Sequence, residues 1–207
     1  MTQNPRIQGE SCWLTATKMK KQKTGKTKTK LRAEIGLPSG VTASLSGQSL
    51  SVNGPKGESK RNIRQHNVKI MLENSKVIFE TERSTKRDKK LLGSLKAHVN
   101  NMIRGSINQH NYVLKICAGH FPMTVAVADN KLTIKNFLGE KVPRILHLKE
   151  GAAVKVDGQL IHVISSSKET AGQVAADIEQ ITRRPGFDSR VFQDGIYIIN
   201  KDGKELK

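Results

Sequence analysis

The sequence predicts an α+β fold in which one unit occurs twice in tandem, each copy built of small antiparallel sheets plus one helix around a single core. Short apolar segments with a period of two are followed by one segment of helical spacing, and this order occurs twice. Aligned motifs also recur about 83 residues apart. The 207 residues, of which 36% are apolar, suffice for two small cores. We place the two repeat domains at residues 35–110 and 111–207.

A flexible basic arm is predicted ahead of the two domains, at residues 1–34. Residues 18–32 carry eight positive charges, no acidic residue and almost no apolar surface. Little would therefore offset the entropy lost on ordering them. Such an arm could lie along phosphates, with Lys20, Lys21 and Lys23 as its candidate contacts, or serve as a nuclear-import signal, or be a solvated extension.

The first domain begins with short segments in which apolar and polar residues alternate, which indicates strands. These segments contain Val41, Ala43 and Leu45; Leu50 and Val52; Val68, Ile70 and Leu72; and Ile78. The spacing then changes to three or four residues between positions 91 and 103. This change predicts an amphipathic helix that is capped by Ser84 or Thr85 and ended by Gly105.

The second domain follows the same order. Strands are predicted around Leu114 and at residues 125–127, 132–134, 145–148, 154–156 and 160–164. A helix is predicted from about residue 169 to 183, where the segment RRPG stops it. The segment RVFQDGIYIINK then adds a last strand.

The alignment of the two copies supports an internal duplication. Pro38 and Val41 match Pro122 and Val125 at an offset of 84 residues. At an offset of 82, Leu50, Val52, Gly57, Glu58 and Ile63 match Leu132, Ile134, Gly139, Glu140 and Ile145. A hairpin loop that is two residues shorter in the second copy accounts for the difference between the offsets.

The glycines of VNGPKGESKR, residues 52–61, are interpreted as turn residues, as are those of the matching segment IKNFLGEKVPR. A nucleotide-binding loop would need a helix directly after the glycines, because the helix N-terminus supplies donors to the phosphate. Strands are predicted there instead. Gly57 and Gly139 are therefore expected to adopt positive φ in hairpin turns.

No catalytic or metal-binding arrangement is evident in the sequence. The six histidines are scattered without a close pair at ligand spacing, and Cys12 and Cys117 lie in dissimilar surroundings. His98 and His120 are expected to pack or to form hydrogen bonds. We therefore expect no catalytic residue, metal ion, cofactor or small-molecule substrate. No run of about 18 apolar residues is present, so we expect a soluble intracellular protein without membrane contact.

The charge of the chain points to nucleic acid as its partner. Lys and Arg total 36 against 18 Asp and Glu, a formal charge of +18, and 27 against 16 remain after residue 35. So strong a surplus is costly unless a polyanion neutralises it. Aromatic residues make up 4% of the chain, and the predicted strands lack the interleaved Phe and Tyr that stack unpaired bases. Recognition of backbone charge and of the shape of folded RNA is therefore expected.

The candidate RNA contacts fall into basic clusters, each of which could also be merely solvated. The strongest cluster lies between the second helix and the last strand and consists of Arg183, Arg184 and Arg190. The two predicted turns contribute further cations, and one more lies beside the start of the second helix: Lys56, Lys60 and Arg61; Lys135, Lys141 and Arg144; and Lys168.

Five segments occur in one collinear order between residues 36 and 203: VNGPKGESKR, HVNNMIRG, HFP, NFLGEK and FQDGIYI. Together they resemble the large-subunit ribosomal protein L six family in its archaeal and eukaryotic form, called L nine in eukaryotes. The last segment fits the family pattern through Arg190, Phe192, Asp194, Gly195, Tyr197 and Lys201. The basic arm is not part of that pattern, and Phe187 stands where the pattern has a basic residue.

The resemblance implies a duplicated fold and a structural, non-enzymatic role in the large ribosomal subunit. It implies binding to large-subunit rRNA beside the sarcin-ricin loop, largely through the second domain, with translational GTPases docking nearby. Neighbouring ribosomal proteins would be further partners. The protein would act in cytoplasmic ribosomes and, if eukaryotic, pass through the nucleolus during assembly. A basic adaptor or chaperone of acidic proteins is the alternative function.

Overall fold

The computed structural model describes residues 30–63, 68–73, 75–82, 84–188 and 190–206. Lys20, Lys21 and Lys23 of the predicted arm lie outside these residues. In the part of the chain that is described, neither helix is both long and apolar enough to cross a membrane.

The described residues of the first unit form six strands followed by one helix. Their bounds are β1 Leu31–Gly36, β2 Thr42–Ser46, β3 Ser49–Gly54, β4 Gly57–Asn62, β5 Val68–Glu73, β6 Lys76–Thr81 and α1 Lys86–Ile107. The strands form two antiparallel sheets, in the orders β1-β6-β5 and β2-β3-β4. Leu50 and Val52 alternate along β3 and are fully buried with Val99 of α1 in one core.

The second unit repeats this order and then adds two strands. Its elements are β7 His110–Cys117, β8 Thr124–Ala128, β9 Lys131–Lys135, β10 Arg144–His147, β11 Ala152–Asp157, β12 Leu160–Ser165, α2 Lys168–Ile181, β13 Gly195–Lys201 and β14 Lys204–Glu205. The sheet orders are β10-β9-β8 and β11-β12-β7-β13-β14. A second core joins Leu132 and Ile134 of β9 to Val174 and Ile178 of α2. The predicted α+β duplication is therefore confirmed.

The structure moves the end of the predicted arm. We expected the arm to extend to residue 34, but Leu31–Gly36 form β1, which pairs with β6 along its whole length. Leu31, Ala33 and Ile35 alternate with two charged residues, and Ile35 is buried in the first core. The prediction was wrong for residues 31–34. These residues were assigned to the arm because of the dense positive charge before them, although their apolar and charged residues alternate with the period of a strand.

The two glycine-containing turns are less alike than the sequence alignment indicates. Gly57 and Gly139 both have positive φ, at 148° and 78°, as expected. β3 and β4 are joined by a two-residue turn, whereas residues 136–143 connect β9 to β10 and include a short 3-10 turn, Phe137–Gly139. The longer connection shifts the register. Ile63 therefore corresponds to the buried Leu148 rather than to Ile145, which is exposed.

Helix α1 begins at the predicted cap but does not end at Gly105. The hydroxyl of Thr85 accepts a hydrogen bond from the Asp88 backbone N–H at 3.1 Å. The helix continues past Gly105 to Ile107. Gly105 is needed for a different reason, because a Cβ at this position would overlap the carbonyl oxygen of Ser166 in the second unit. The glycine permits close packing between the units.

The junction between the two units surrounds this contact. The Ser166 hydroxyl donates to the carbonyl oxygen of Glu58 at 3.1 Å. A Cβ built on Gly57 would lie 3.1 Å from Cβ of Ser166, so the β3–β4 turn also approaches closely. Glu169, in the first turn of α2, pairs with Arg61 of β4. The β3–β4 turn, the end of α1 and the start of α2 therefore hold the two units in one arrangement.

We expect Gly105→Ala to destabilise the protein, whereas Gly93→Ala should not. Both glycines lie in α1, but no atom lies within 4 Å of a Cβ built on Gly93. Alanine is favoured over glycine in a helix by about 1 kcal/mol, so Gly93→Ala should raise the free energy of unfolding. In Gly105→Ala the overlap with Ser166 should outweigh that gain by about 1 to 3 kcal/mol. Urea unfolding of both variants measures the contrast, and equal stability gains would contradict the packing role.

Candidate nucleic-acid interface

One end of the second unit carries the predicted arginine cluster, directly after α2. The helix ends at Ile181, two residues earlier than predicted. The Thr182 hydroxyl donates to the Glu179 carbonyl at 2.9 Å and accepts from the Ile196 N–H at 3.1 Å. Because this buried threonine ties the helix end to β13, the segment that carries Arg183 and Arg184 leaves the core at a fixed position.

Arg144 is only partly exposed, and contacts within the protein engage its guanidinium. Its guanidinium forms two hydrogen bonds to Glu140, at 2.8 and 2.6 Å, and a third to the carbonyl oxygen of Ile181. It also lies 4.4 Å above the ring of Phe137. The structure therefore does not support Arg144 as a phosphate contact, because these contacts already engage its fork of donors. Arg144 instead joins the β9–β10 connection to the end of α2.

Glu140 brings two basic segments together. Hydrogen bonds from Arg144 lower the pKa of Glu140 despite the opposing effect of burial, and the charges of Arg144 and Arg184 lower it further. The nearest guanidinium nitrogen of Arg184 lies 3.5 Å from the Glu140 carboxylate. Lys141 follows Glu140 in the chain and is exposed. The β9–β10 connection and the segment after α2 thus place their cations at the same end of the unit.

Four predicted contacts in the second unit remain exposed cations. Arg183, Arg190, Lys135 and Lys141 form no ion pair with any residue that the structure describes. Arg184 is only partly engaged, since its contact with Glu140 is long and the side chain remains one-third exposed. These five residues are the predicted contacts of the second unit that the structure leaves available to a polyanion.

The predicted cations near the junction are mostly paired with carboxylates. Arg61 pairs with Glu169 and lies 3.3 Å from the ring of His98, so it serves the contact between the units. Lys168 lies 3.1 Å from Asp202, and Lys60 lies 3.2 Å from Glu58 on an exposed surface. Lys56 is exposed on the β3–β4 turn. The structure does not favour Arg61 as a phosphate contact, because its charge is already compensated.

An aromatic group beside the arginines was not predicted from the sequence. Phe192 stacks on His120 with ring centres 5.0 Å apart and meets Phe187 edge-on at the same distance. The Arg184 guanidinium lies 4.5 Å above the ring of Phe187. Alternation along strands could not reveal this group, because His120 and the two phenylalanines lie outside the strands.

Asp194 holds His120 of this aromatic group in position. Its buried carboxylate accepts hydrogen bonds from the backbone N–H groups of Gly119 and His120 and from the His120 ring. Burial alone would raise the pKa of Asp194, but the hydrogen bonds and charge of His120, with the Gly119 N–H, hold it below its ordinary value. The expectation that His120 forms hydrogen bonds is confirmed, and so is that for His98, whose Nδ1 lies 3.1 Å from Glu169.

The described residues contain no group of three or more His, Cys, Asp or Glu side chains that could hold a metal ion.

His110 is buried where the two units meet. Its Nε2 lies 3.1 Å from the carbonyl oxygen of Asn101, and its Nδ1 lies 3.0 Å from Asp202. This histidine therefore links α1 to the turn that follows β13.

Comparison with known proteins identifies both repeats. The family model described as Ribosomal protein L6 matches residues 37–106 and 121–195. A protein of Methanobrevibacter smithii called large ribosomal subunit protein uL6 is 41% identical over 172 residues, which cover 83% of this chain and 97% of that protein. Proteins of the same name from Methanococcus vannielii and Methanothrix thermoacetophila are each 40% identical, over 85% and 81% of this chain and 97% and 95% of their own lengths.

We expect Asp194→Asn to lower the free energy of unfolding at pH 7 by about 1 to 3 kcal/mol, because it removes the charged partner of His120. The pKa of Asp194 is lowered on folding, so its contribution is present above the unfolded value of about 3.9 and is lost as the pH falls through the folded value. The difference between wild type and variant in urea unfolding should therefore shrink at pH 3. Asp157→Asn, at an exposed strand end, is the control and should differ little from wild type at either pH. A penalty that does not change with pH would contradict this role.

Proposed function

This chain belongs to the ribosomal protein L6 family, and we propose that it is a structural component of the large ribosomal subunit that binds rRNA. The observation that carries this proposal is the family match across both repeats. The relatives that share about 40% of its residues are called large ribosomal subunit proteins, and the chain covers nearly their whole length. The chain accordingly acts within ribosomes.

The proposed mechanism is neutralisation of phosphates by cations at fixed positions. Arg183, Arg184 and Arg190 supply the main contacts. Lys135, at the end of β9, and Lys141, in the β9–β10 connection, extend the surface. Each phosphate contact releases counterions from the RNA, which favours association. The hydrogen bond of Thr182 to β13 and the ion pair between Arg144 and Glu140 hold these segments against the core. The segments therefore lose little conformational entropy when they bind RNA.

The location within the subunit is a finer part of the proposal. The family resemblance implies that the second unit contacts rRNA beside the sarcin-ricin loop, near the docking site of translational GTPases. The exposed cations of the second unit fit this assignment. Lys56 and Lys60 on the first unit are secondary contacts, and Lys20, Lys21 and Lys23 would extend binding along neighbouring phosphates. Neighbouring ribosomal proteins complete the set of partners.

The tagged protein is expected to sediment with large ribosomal subunits in a gradient run in high salt. The tag alone, expressed at the same level, is the control and should stay at the top of the gradient. A tagged protein that remains at the top as well would overturn the ribosomal assignment. Its recovery away from ribosomes, bound to acidic proteins, would favour the adaptor function instead.

Binding to a transcribed fragment of large-subunit rRNA is expected to weaken steeply with salt. Replacing Arg183, Arg184 and Arg190 with Ala should reduce the slope of log K against log salt by about 2 to 3, since each lost phosphate contact contributes about 1. The control removes equal charge from α1 by replacing Lys89, Lys90 and Lys96, all exposed, with Ala. Filter binding at several salt concentrations measures both slopes. Equal slopes for the two triple variants would remove the arginines from the interface.

A further inference from the structure

A cavity of about 210 Å³ opens beside the arginine cluster of the second unit. Phe187, Phe192 and Tyr197 line it, together with Arg183 and Arg184. We propose that this cavity binds one unpaired RNA base, which stacks on the aromatic lining while the two arginines contact the adjoining phosphates. The inference rests on the proposed function and adds a base-binding site to a surface otherwise expected to read only charge and shape.

Two of the aromatic side chains that line the cavity are open to solvent. Phe187 is 44% exposed and Tyr197 is 43% exposed, although both rings border the same cavity. Large apolar side chains left open in a concave, positively charged setting mark a binding surface more often than a packing defect. Unpaired bases are recognised by stacking on aromatic rings and on arginine guanidinium planes, and this lining offers both.

The lining is also held in place before any ligand arrives. Arg184 lies over one phenylalanine ring, and that ring meets Phe192 at an angle of 84°. Phe192 in turn stacks on His120, which the buried Asp194 carboxylate fixes through two hydrogen bonds, with a third from the neighbouring Gly119 N–H. A stacking site assembled in advance loses little conformational entropy on binding.

One carboxylate gives the cavity a preference among bases. Thr182 and Asp194 also line it, but their oxygens are already bonded to Ile196, Glu179, Gly119 and His120. Glu179 lines the cavity with no ion-pair partner among the described residues. A carboxylate accepts hydrogen bonds from the amino group of a base. Adenine, cytosine and guanine carry such a group, whereas uracil offers only its ring N3–H between two carbonyl oxygens that a carboxylate repels, so the cavity should bind uracil less tightly.

The charge around the cavity favours RNA over a protein as the occupant. Arg183 and Arg184 lie on its lining, and Arg190 is exposed in the segment between α2 and β13. The chain as a whole carries a formal charge of +18. A ligand that combines a flat apolar group with flanking negative charges matches this surface, and a nucleotide within a strand has that composition.

The test uses two RNA hairpins of equal length, one with a single bulged 2-aminopurine and one fully paired. Wild-type protein should bind the bulged hairpin roughly tenfold more tightly and quench its fluorescence, as expected for one stacked base. Phe187→Leu and Tyr197→Leu should each remove most of this preference. Because Arg184 lies over the Phe187 ring, Tyr197→Leu is the variant expected to leave the affinity for the paired hairpin unchanged. A bulged uracil in place of 2-aminopurine should be bound less tightly, and Glu179→Gln should reduce that difference.

Phe121→Leu is the matched control, because Phe121 is 50% exposed but does not line the cavity. It should keep the full preference for the bulged hairpin. Circular dichroism should show all variants folded, as expected for partly exposed side chains. If wild type binds both hairpins equally, or if the preference survives both leucine variants, the base site is wrong while RNA binding stands. If wild type binds neither hairpin and stays away from large subunits in the gradient, the proposed function itself fails.

A protein occupant would give a different pattern. Equal binding of the two hairpins, combined with loss of one neighbouring ribosomal protein from large subunits that contain Phe187→Leu, would assign the cavity to that protein. This result would overturn the base site.

Discussion

The close approach of the two units at Gly105 and Ser166 is the constraint on which the rest of the molecule depends. At this point a helix of the first unit touches the backbone of the second with no room for a side chain. Around it, polar contacts such as the ion pair between Arg61 and Glu169 favour one arrangement. If the units separated, each of these side chains would lose the opposite charge that compensates its own. The orientation of the second unit, and with it the direction in which its basic end faces, follows from this contact.

The order of elements could be predicted because each core needs a repeating apolar pattern, and such patterns are local. Alternation along β3 and β9 and the three- or four-residue spacing in α1 are visible in the sequence itself. One error arose because a residue serves a distant partner. Gly105 looks like a helix stop because glycine commonly ends helices, yet the reason for it lies 61 positions further along, at Ser166. The first residues of β1 were assigned to the arm, because the high charge density before them outweighed their weak alternation of apolar and charged side chains.

The candidate interface could be predicted in part, because a basic cluster, like an apolar repeat, is a local feature of the sequence. An exposed basic cluster between α2 and β13 is a feature of sequence, and Arg183, Arg184 and Arg190 are all exposed. Whether a cation is already neutralised by a carboxylate depends on tertiary contacts, so Arg144 and Arg61 could not be separated from the others beforehand. The aromatic cavity was missed because its rings come from a loop and a strand edge that only the fold brings together.

The two helices differ in length, and this difference shows how the copies diverged after duplication. α1 has 22 residues and α2 has 14. At a repeat spacing of about 83 residues, the last turns of α1 correspond to residues 182–190 of the second copy. The first copy uses this part of the unit to dock its sister domain, whereas in the second copy the corresponding segment follows the helix and carries the arginines. One inherited surface has thus taken on two roles, and a third copy added at the C-terminus would have to cover the basic end of the second in order to pack in the same way.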